Sequence, residues 1–311
     1  MINKSDLFPI GIGTWGIGGF AEKNPGNQDA TQIKSISFML QHGFNYIELN
    51  VWTAQGHSIE LVSKGANISR VKRDKLFLSQ AIYSYTSPTI KAAMREIQTC
   101  LKLFNTSYVD SISLNEAAIS SIGKKNVFEL YHQLIDQKII RFINLNNPSL
   151  ASLREAISEF GDKLFSIKIG FNFEIRENED NGIIRLAKEK EILCVIYQPL
   201  RRNRTALRNW PLLVELSKKY NKTQNQIILN WIRSKGFLPI SKSESVIHIK
   251  EHLSSLDFTL DREDLKKLDE FRPPNYKPPL VYWGASGDGV RIDQLSNVFD
   301  EDYDKQMNNK K

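Results

Sequence analysis

Short runs of Ile, Val, Leu, Phe and Tyr alternate along this chain with longer stretches in which apolar residues recur every three or four positions. Eight such runs stand out: Pro9–Gly13, Tyr46–Asn50, Leu76–Ile82, Tyr108–Leu114, Ile140–Leu145, Leu164–Asn172, Leu193–Leu200 and Phe237–Ile240. Short apolar runs bounded by turn residues predict strands buried on both faces, as in a parallel sheet. The intervening stretches predict helices. Across Thr89–Phe104, the residues Ile90, Ala93, Met94, Ile97, Leu101 and Leu103 mostly follow a helical spacing; across Lys125–Lys138, Val127, Leu130, Leu134 and Ile135 do the same. Gly43 stops the first helix, and Ser149 and Ser152 sit near the start of another.

Strands alternating with helices, without a break in composition, predict a single (β/α)8 TIM barrel over residues 1–271. A doubly wound sheet is the rival. It would place a GxGxxG fingerprint at the first strand–helix turn, where the chain has Gly16-Ile-Gly-Gly19 instead. Residues 272–311 form a C-terminal extension. It opens on the Pro-rich segment Pro273–Pro279, carries Tyr282 and Trp283, and ends in a charged stretch expected to be loose.

With 41% hydrophobic and 25% charged residues, the chain is not mainly disordered. A net charge of +7 admits an anionic small-molecule ligand, but no motif points to nucleic acid or a membrane. No run reaches the roughly 18 apolar residues of a membrane span. Two cysteines, Cys100 and Cys194, cannot build a disulfide framework, and the first residues lack a signal-peptide run. The expectation is a cytoplasmic protein. The sequence leaves the oligomeric state open.

Nine segments then carry a resemblance: Gly11-Ile-Gly-Thr-Trp15, Gly43-Phe-Asn-Tyr-Ile47, Gly56-His-Ser58, Asp74-Lys-Leu-Phe-Leu78, Tyr108-Val-Asp110, Arg141-Phe-Ile143, Tyr197-Gln-Pro-Leu200, Asn221-Lys-Thr223 with Leu229-Asn-Trp231, and Pro239-Ile-Ser-Lys-Ser243. Their order and spacing make the chain resemble the aldo-keto reductases over residues 8–271. The resemblance implies NADP(H) lying extended on the barrel mouth and carbonyl reduction by an Asp, Tyr, Lys and His tetrad. Carried over by position, the Asp falls on Glu48, the Tyr on Thr53, the Lys on Ala81 and the His on Asn115. All four differ. A Thr hydroxyl is a far weaker acid than a phenol, and Ala81 offers neither charge nor hydrogen bond. Reduction needs a proton donor at the moment hydride arrives, so ordinary carbonyl reduction is expected to be lost. Tyr83 and Tyr85, which follow the third strand, are displaced phenols that could serve instead.

The cofactor positions drift too. The family's Ser-Asn falls on Asn146-Asn147, its Gln on Lys168 and its Ser before Pro-Leu on Gln198. Its 2′-phosphate contacts are matched by Lys242-Ser243, while the downstream Arg and Asn fall on His248 and His252. NADP(H) therefore stays a candidate cofactor, and no metal is expected.

Barrel enzymes place their chemistry at the carboxyl ends of strands. Glu48, Lys168 and Asn115 are the candidate catalytic residues there. Glu48 and Lys168 would each shift the other's pKa; a structural ion pair is the alternative. Trp15, Asn50, Trp52, Thr53, Gln80, Glu116 and, from the extension as a lid, Trp283 are expected to line a substrate pocket. Asn146, Asn147, Gln198, Arg201, Arg202, Arg204, Lys242 and Ser243 are expected to hold a cofactor or another anion, whose oxygens Arg forks match. His57 reads as structural, and His248 with His252 as a surface pair lacking a third metal ligand.

Three functions remain open. The first is a non-redox enzyme of lyase, isomerase or cyclase type, using Glu48 and Lys168 on a small, anionic metabolite. The second is an NADP(H)-dependent oxidoreductase with Tyr83 or Tyr85 as proton donor. The third is a catalytically inactive ligand-binding or regulatory protein.

Overall fold

Pairing of each apolar run with the next builds the architecture. The structure, a computed structural model, describes residues 2–83 and 86–272. The strands are β1 (Gly11–Ile12), β2 (Tyr46–Leu49), β3 (Phe77–Ile82), β4 (Ser111–Leu114), β5 (Phe142–Asn146), β6 (Leu164–Gly170), β7 (Leu193–Tyr197) and β8 (Leu238–Ser241). They pair in parallel in chain order, and β1 closes on β8 to complete the barrel. This is the (β/α)8 fold expected from the pattern.

Helices cover the outside, and their starts are chemically marked. Thr89 caps Ile90–Phe104 by accepting from Ala92 N at 3.2 Å, and Ser149 caps Leu150–Phe160 by accepting from Ser152 N at 3.1 Å. Cys100 and Cys194 are both buried. The sixth run is longer than its strand because its last residues serve another layer. Past Gly170 the chain leaves the barrel, and the ring of Phe171 stacks on Trp231 at 5.3 Å. No helix among the described residues is long and apolar enough to cross a membrane.

The bore is filled in layers, as side chains alternating along each strand require. An apolar cluster holds Tyr46, Phe77, Phe165, Val195, Leu238 and Ile240. Asn144 belongs to a buried polar group: its Nδ2 donates to Ser79 Oγ and Ser111 Oγ, and its Oδ1 accepts from Ser166 Oγ, each at 2.7 Å. These bonds leave the amide's buried oxygen and nitrogen with partners. Asn144 pairs with Ser166 and Asn146 with Lys168, so the next inward residues on β5 and β6 lie one step nearer the mouth.

Before β4, the buried Asp110 carboxylate accepts from Arg73 Nη2 at 2.9 Å, Arg141 Nη1 at 2.7 Å and Leu78 N at 2.9 Å. Asp110→Ala removes all three bonds and leaves two guanidiniums facing a hole. The expected cost is about 3–5 kcal/mol, read from the urea midpoint. An unmoved midpoint would show the bridge to be energetically idle.

Candidate active site

Glu48 on β2 and Lys168 on β6 come from opposite sides of the closed barrel and meet across its bore. Lys168 Nζ donates directly to Glu48 Oε1, and the two side chains are only 9% and 12% exposed. The same ammonium lies 3.4 Å from Tyr83 Oη, on the residue that follows β3. Tyr83 is fixed by a turn: its carbonyl accepts from Ser87 N at 2.9 Å, Thr86 N at 3.2 Å and Thr86 Oγ1 at 3.0 Å. The Asn146 side chain also hydrogen-bonds the phenol.

The electrostatics follow from burial and neighbours. Burial alone would lower the Lys168 pKa, but the Glu48 carboxylate and the nearby phenols of Tyr83 and Tyr46 outweigh it and raise the pKa above the usual lysine range. The amine is therefore held charged. Burial lifts the Tyr83 phenol above its ordinary value, and the Lys168 ammonium pulls it partly back. A charged lysine beside a protonated phenol can stabilise the phenolate left after proton donation.

The other expected residues sort differently. Thr53 is buried, and both its N and Oγ1 donate to Asn50 Oδ1 at 2.7 Å, so this pair ties a loop together. Asn115 caps the helix Glu116–Ile122, its Oδ1 accepting from Ala118 N at 3.1 Å. Glu116 accepts from Ser149 N and links two loops. Gln80 is corrected: the strand alternation turns it away from the bore, where its Nε2 donates to the Glu96 carbonyl of the covering helix. Trp15 and Trp52 stack at 4.9 Å and make an aromatic pair following β1 and β2. Tyr85, Trp283 and the expected lid lie outside the described residues. His57 is bracketed by Asp29 and Glu60, at 2.9 and 2.8 Å, as a structural histidine would be. His252, expected at the surface, is instead buried with its Nδ1 3.1 Å from Ser241 Oγ.

Along the cofactor side, Asn147 Oδ1 accepts from Tyr197 Oη at 3.0 Å. Gln198 lines a small cavity with Arg201, Arg202 and Arg204. Arg201 is buried and paired with the fully buried Glu174, which Arg208 also approaches at 3.4 Å. Trp210 Nε1 donates to the same carboxylate at 2.7 Å. The Arg loop expected to meet an anion is thus anchored on an internal acid that the sequence gave no reason to single out. Asn147, Gln198, Arg201 and Arg202 all take left-handed backbone, with φ of 48, 53, 48 and 53°. Such strain in non-glycine residues concentrates at functional loops. After β8, Lys242 pairs with Glu244, and Ser243 Oγ donates to Ser245 O at 3.1 Å. The amides of Asn146, Asn147 and Gln198 suit a carboxamide ring, and Arg202 and Arg204 suit a pyrophosphate. The donor set therefore fits a nicotinamide dinucleotide along this rim. No group of three or more His, Cys, Asp or Glu side chains able to hold a metal occurs among the described residues.

A (β/α)8 barrel with these loops has known counterparts. The sequence matches the Aldo/keto reductase family over residues 9–273, and the chain belongs to that family. It is 26% identical over 235 residues to the NADPH-dependent alpha-keto amide reductase of Saccharomyces cerevisiae, spanning 71% of this chain and 73% of that protein. It is 22% identical to a methylglyoxal reductase of Escherichia coli, spanning 85% and 90%. Among solved structures, a thermostable aldo-keto reductase bound to the inhibitor epalrestat superposes with a TM-score of 0.76 at 26% identity, covering 85% of this chain and 94% of that one. These likenesses lend no support to a lyase, isomerase or cyclase, nor to a loss of activity.

Proposed function

We propose that this chain is a carbonyl reductase, dependent on a nicotinamide dinucleotide, whose proton donor is Tyr83 rather than a residue at the position of Thr53. The observation that carries the reading is the Glu48–Lys168–Tyr83 constellation. It unites a carboxylate, a lysine and a phenol, three of the four groups of the family's tetrad, with Glu48 at the family's Asp position and the lysine and phenol delivered from other strands. The fourth, a histidine, is absent from the position of Asn115, whose side chain caps a helix.

A bound reduced dinucleotide supplies the hydride. Tyr83 Oη–H donates the proton to the carbonyl oxygen as that oxygen gains charge. The Lys168 ammonium, 3.4 Å away, stabilises the resulting phenolate, and Asn146 holds the phenol from its own side chain. This distance is long for a hydrogen bond, and such contacts tighten when substrate binds. Glu48 keeps Lys168 charged and fixes its position across the bore. Solvent then returns the proton to Tyr83. Trp15 and Trp52 offer an aromatic wall for the substrate. The names of the yeast and bacterial relatives support a small dicarbonyl or keto amide as substrate.

The test uses the purified chain with NADH and with NADPH, each with methylglyoxal and an α-keto amide. The expected result is loss of the reduced nicotinamide's near-ultraviolet absorbance with at least one pair. Absence of dinucleotide oxidation with every pair and with a wider carbonyl panel overturns the reading.

A further inference from the structure

The loop after β8, whose Lys242-Ser243 match the 2′-phosphate contacts implied by the family resemblance, carries a carboxylate at Glu244, and its basic residues are neutralised or turned away. We infer that Glu244 makes this chain select a dinucleotide lacking a 2′-phosphate, NADH over NADPH. The inference rests on the dinucleotide reading above and names its cofactor class.

Glu244 is built into place rather than left free on the surface. Its Oε1 accepts from Gln32 Nε2 at 2.8 Å and from Lys242 Nζ. Its main-chain carbonyl accepts from Ser35 Oγ at 2.7 Å. Gln32 is itself oriented, since its Oε1 accepts from Gly18 N and Asn27 Nδ2, each at 2.9 Å. The helix Asp29–Gln41 therefore clamps Glu244 by side chain and backbone together. None of these bonds uses Oε2, which leaves an acceptor for a ribose hydroxyl.

The residues expected to greet a 2′-phosphate are engaged elsewhere. The charge of Lys242 is cancelled by Glu244. The Ser243 hydroxyl donates to Ser245 O and accepts from Ser245 N, both at 3.1 Å. His252 is buried against Ser241, and its imidazole stays neutral at pH 7 because burial and nearby His248 hold its pKa down to about 4. A phosphate monoester carries roughly two negative charges at neutral pH, and with Lys242 neutralised by Glu244 these residues offer it no net positive charge. In doubly wound dinucleotide-binding folds a carboxylate holds the ribose 2′-hydroxyl and an arginine accommodates a 2′-phosphate, and the same hydrogen-bond and charge chemistry applies to a carboxylate in any fold. Here the carboxylate is present, and His248 stands at the position of the family's arginine.

The experiment titrates the full chain with NADH and NADPH by calorimetry, and with adenosine 5′-monophosphate against adenosine 2′,5′-bisphosphate as fragments of the adenosine end. NADH should bind about tenfold or more tightly than NADPH, and the fragments should follow the same order. Glu244→Gln should tighten NADPH and erase most of the difference. Equal affinities, a preference for NADPH, or an unchanged ratio in Glu244→Gln overturns the inference. Failure of both dinucleotides to bind overturns it together with the reductase reading. Tight NADH binding without turnover on any carbonyl overturns the reductase reading and leaves this inference standing.

Discussion

Lys168→Met lowers the turnover of carbonyl reduction by about 10²- to 10⁴-fold, the range expected when acid catalysis is disabled. It also destabilises the barrel, because Glu48 is left buried without its partner; the cost expected is about 3–5 kcal/mol. These effects can be separated. The double variant Glu48→Gln/Lys168→Met removes both charges, so most of the lost stability returns while turnover stays low. If the double variant recovers turnover together with stability, the pair is a structural ion bridge and nothing more. The pH dependence of stability follows the raised Lys168 pKa. A raised folded-state value gives a contribution that is complete below the unfolded lysine value of about 10.4. That contribution is lost as pH rises through the folded-state value. The stability difference between the native chain and Lys168→Met therefore stays level through neutral pH and shrinks only in strong alkali.

Tyr83→Phe keeps the ring and removes the proton. Turnover should fall by about 10²- to 10⁴-fold. Dinucleotide affinity should be unchanged, and stability should shift by only about 1 kcal/mol, the scale of one hydrogen bond. Near-native turnover in Tyr83→Phe excludes this phenol as the donor. The native pH profile gives a second readout. Burial raises the Tyr83 pKa, so the phenol remains a proton donor through neutral pH, and kcat/KM for reduction should decline only above about pH 10. Removing the Lys168 ammonium takes away the influence that lowers this pKa, so the decline moves to still higher pH in Lys168→Met. A decline centred near pH 7 would assign the proton to another group.

Much of this molecule was legible residue by residue. The eight apolar runs became the eight strands, shortened where residues such as Asp110 and Phe171 serve neighbouring layers. The cap at Ser149 stood where its hydroxyl predicted a helix start, and the Thr89 cap opens the stretch whose periodicity predicted a helix. The site was harder. Gln80 was placed at the mouth because it sits late in its strand, but side-chain alternation aims it outward. Asn50, Thr53 and Asn115 looked like reacting or pocket groups, yet they spend their hydrogen bonds on local backbone and on each other. Polar residues at loop starts do this routinely, and nothing in their spacing distinguishes the two uses. Glu244 carried a signal that was there to be read, an acid two residues after Lys242, but its clamp by Gln32 spans most of the chain.

The sequence by itself determined the barrel, because strand length, strand–helix alternation and helix caps are local properties. It also led to the expectation that other residues stand at the positions of the family's tetrad, a reading that needs residue identity and no coordinates. Only the tertiary structure decided where a lysine and a phenol now stand. Lys168 lies 120 residues from Glu48 and 85 from Tyr83 along the chain. Closure of the sheet brings β2, β3 and β6 around one bore, so side chains remote in sequence meet at a single point. No local pattern encodes that meeting; it is set by strand register and by the inward side of each pleat.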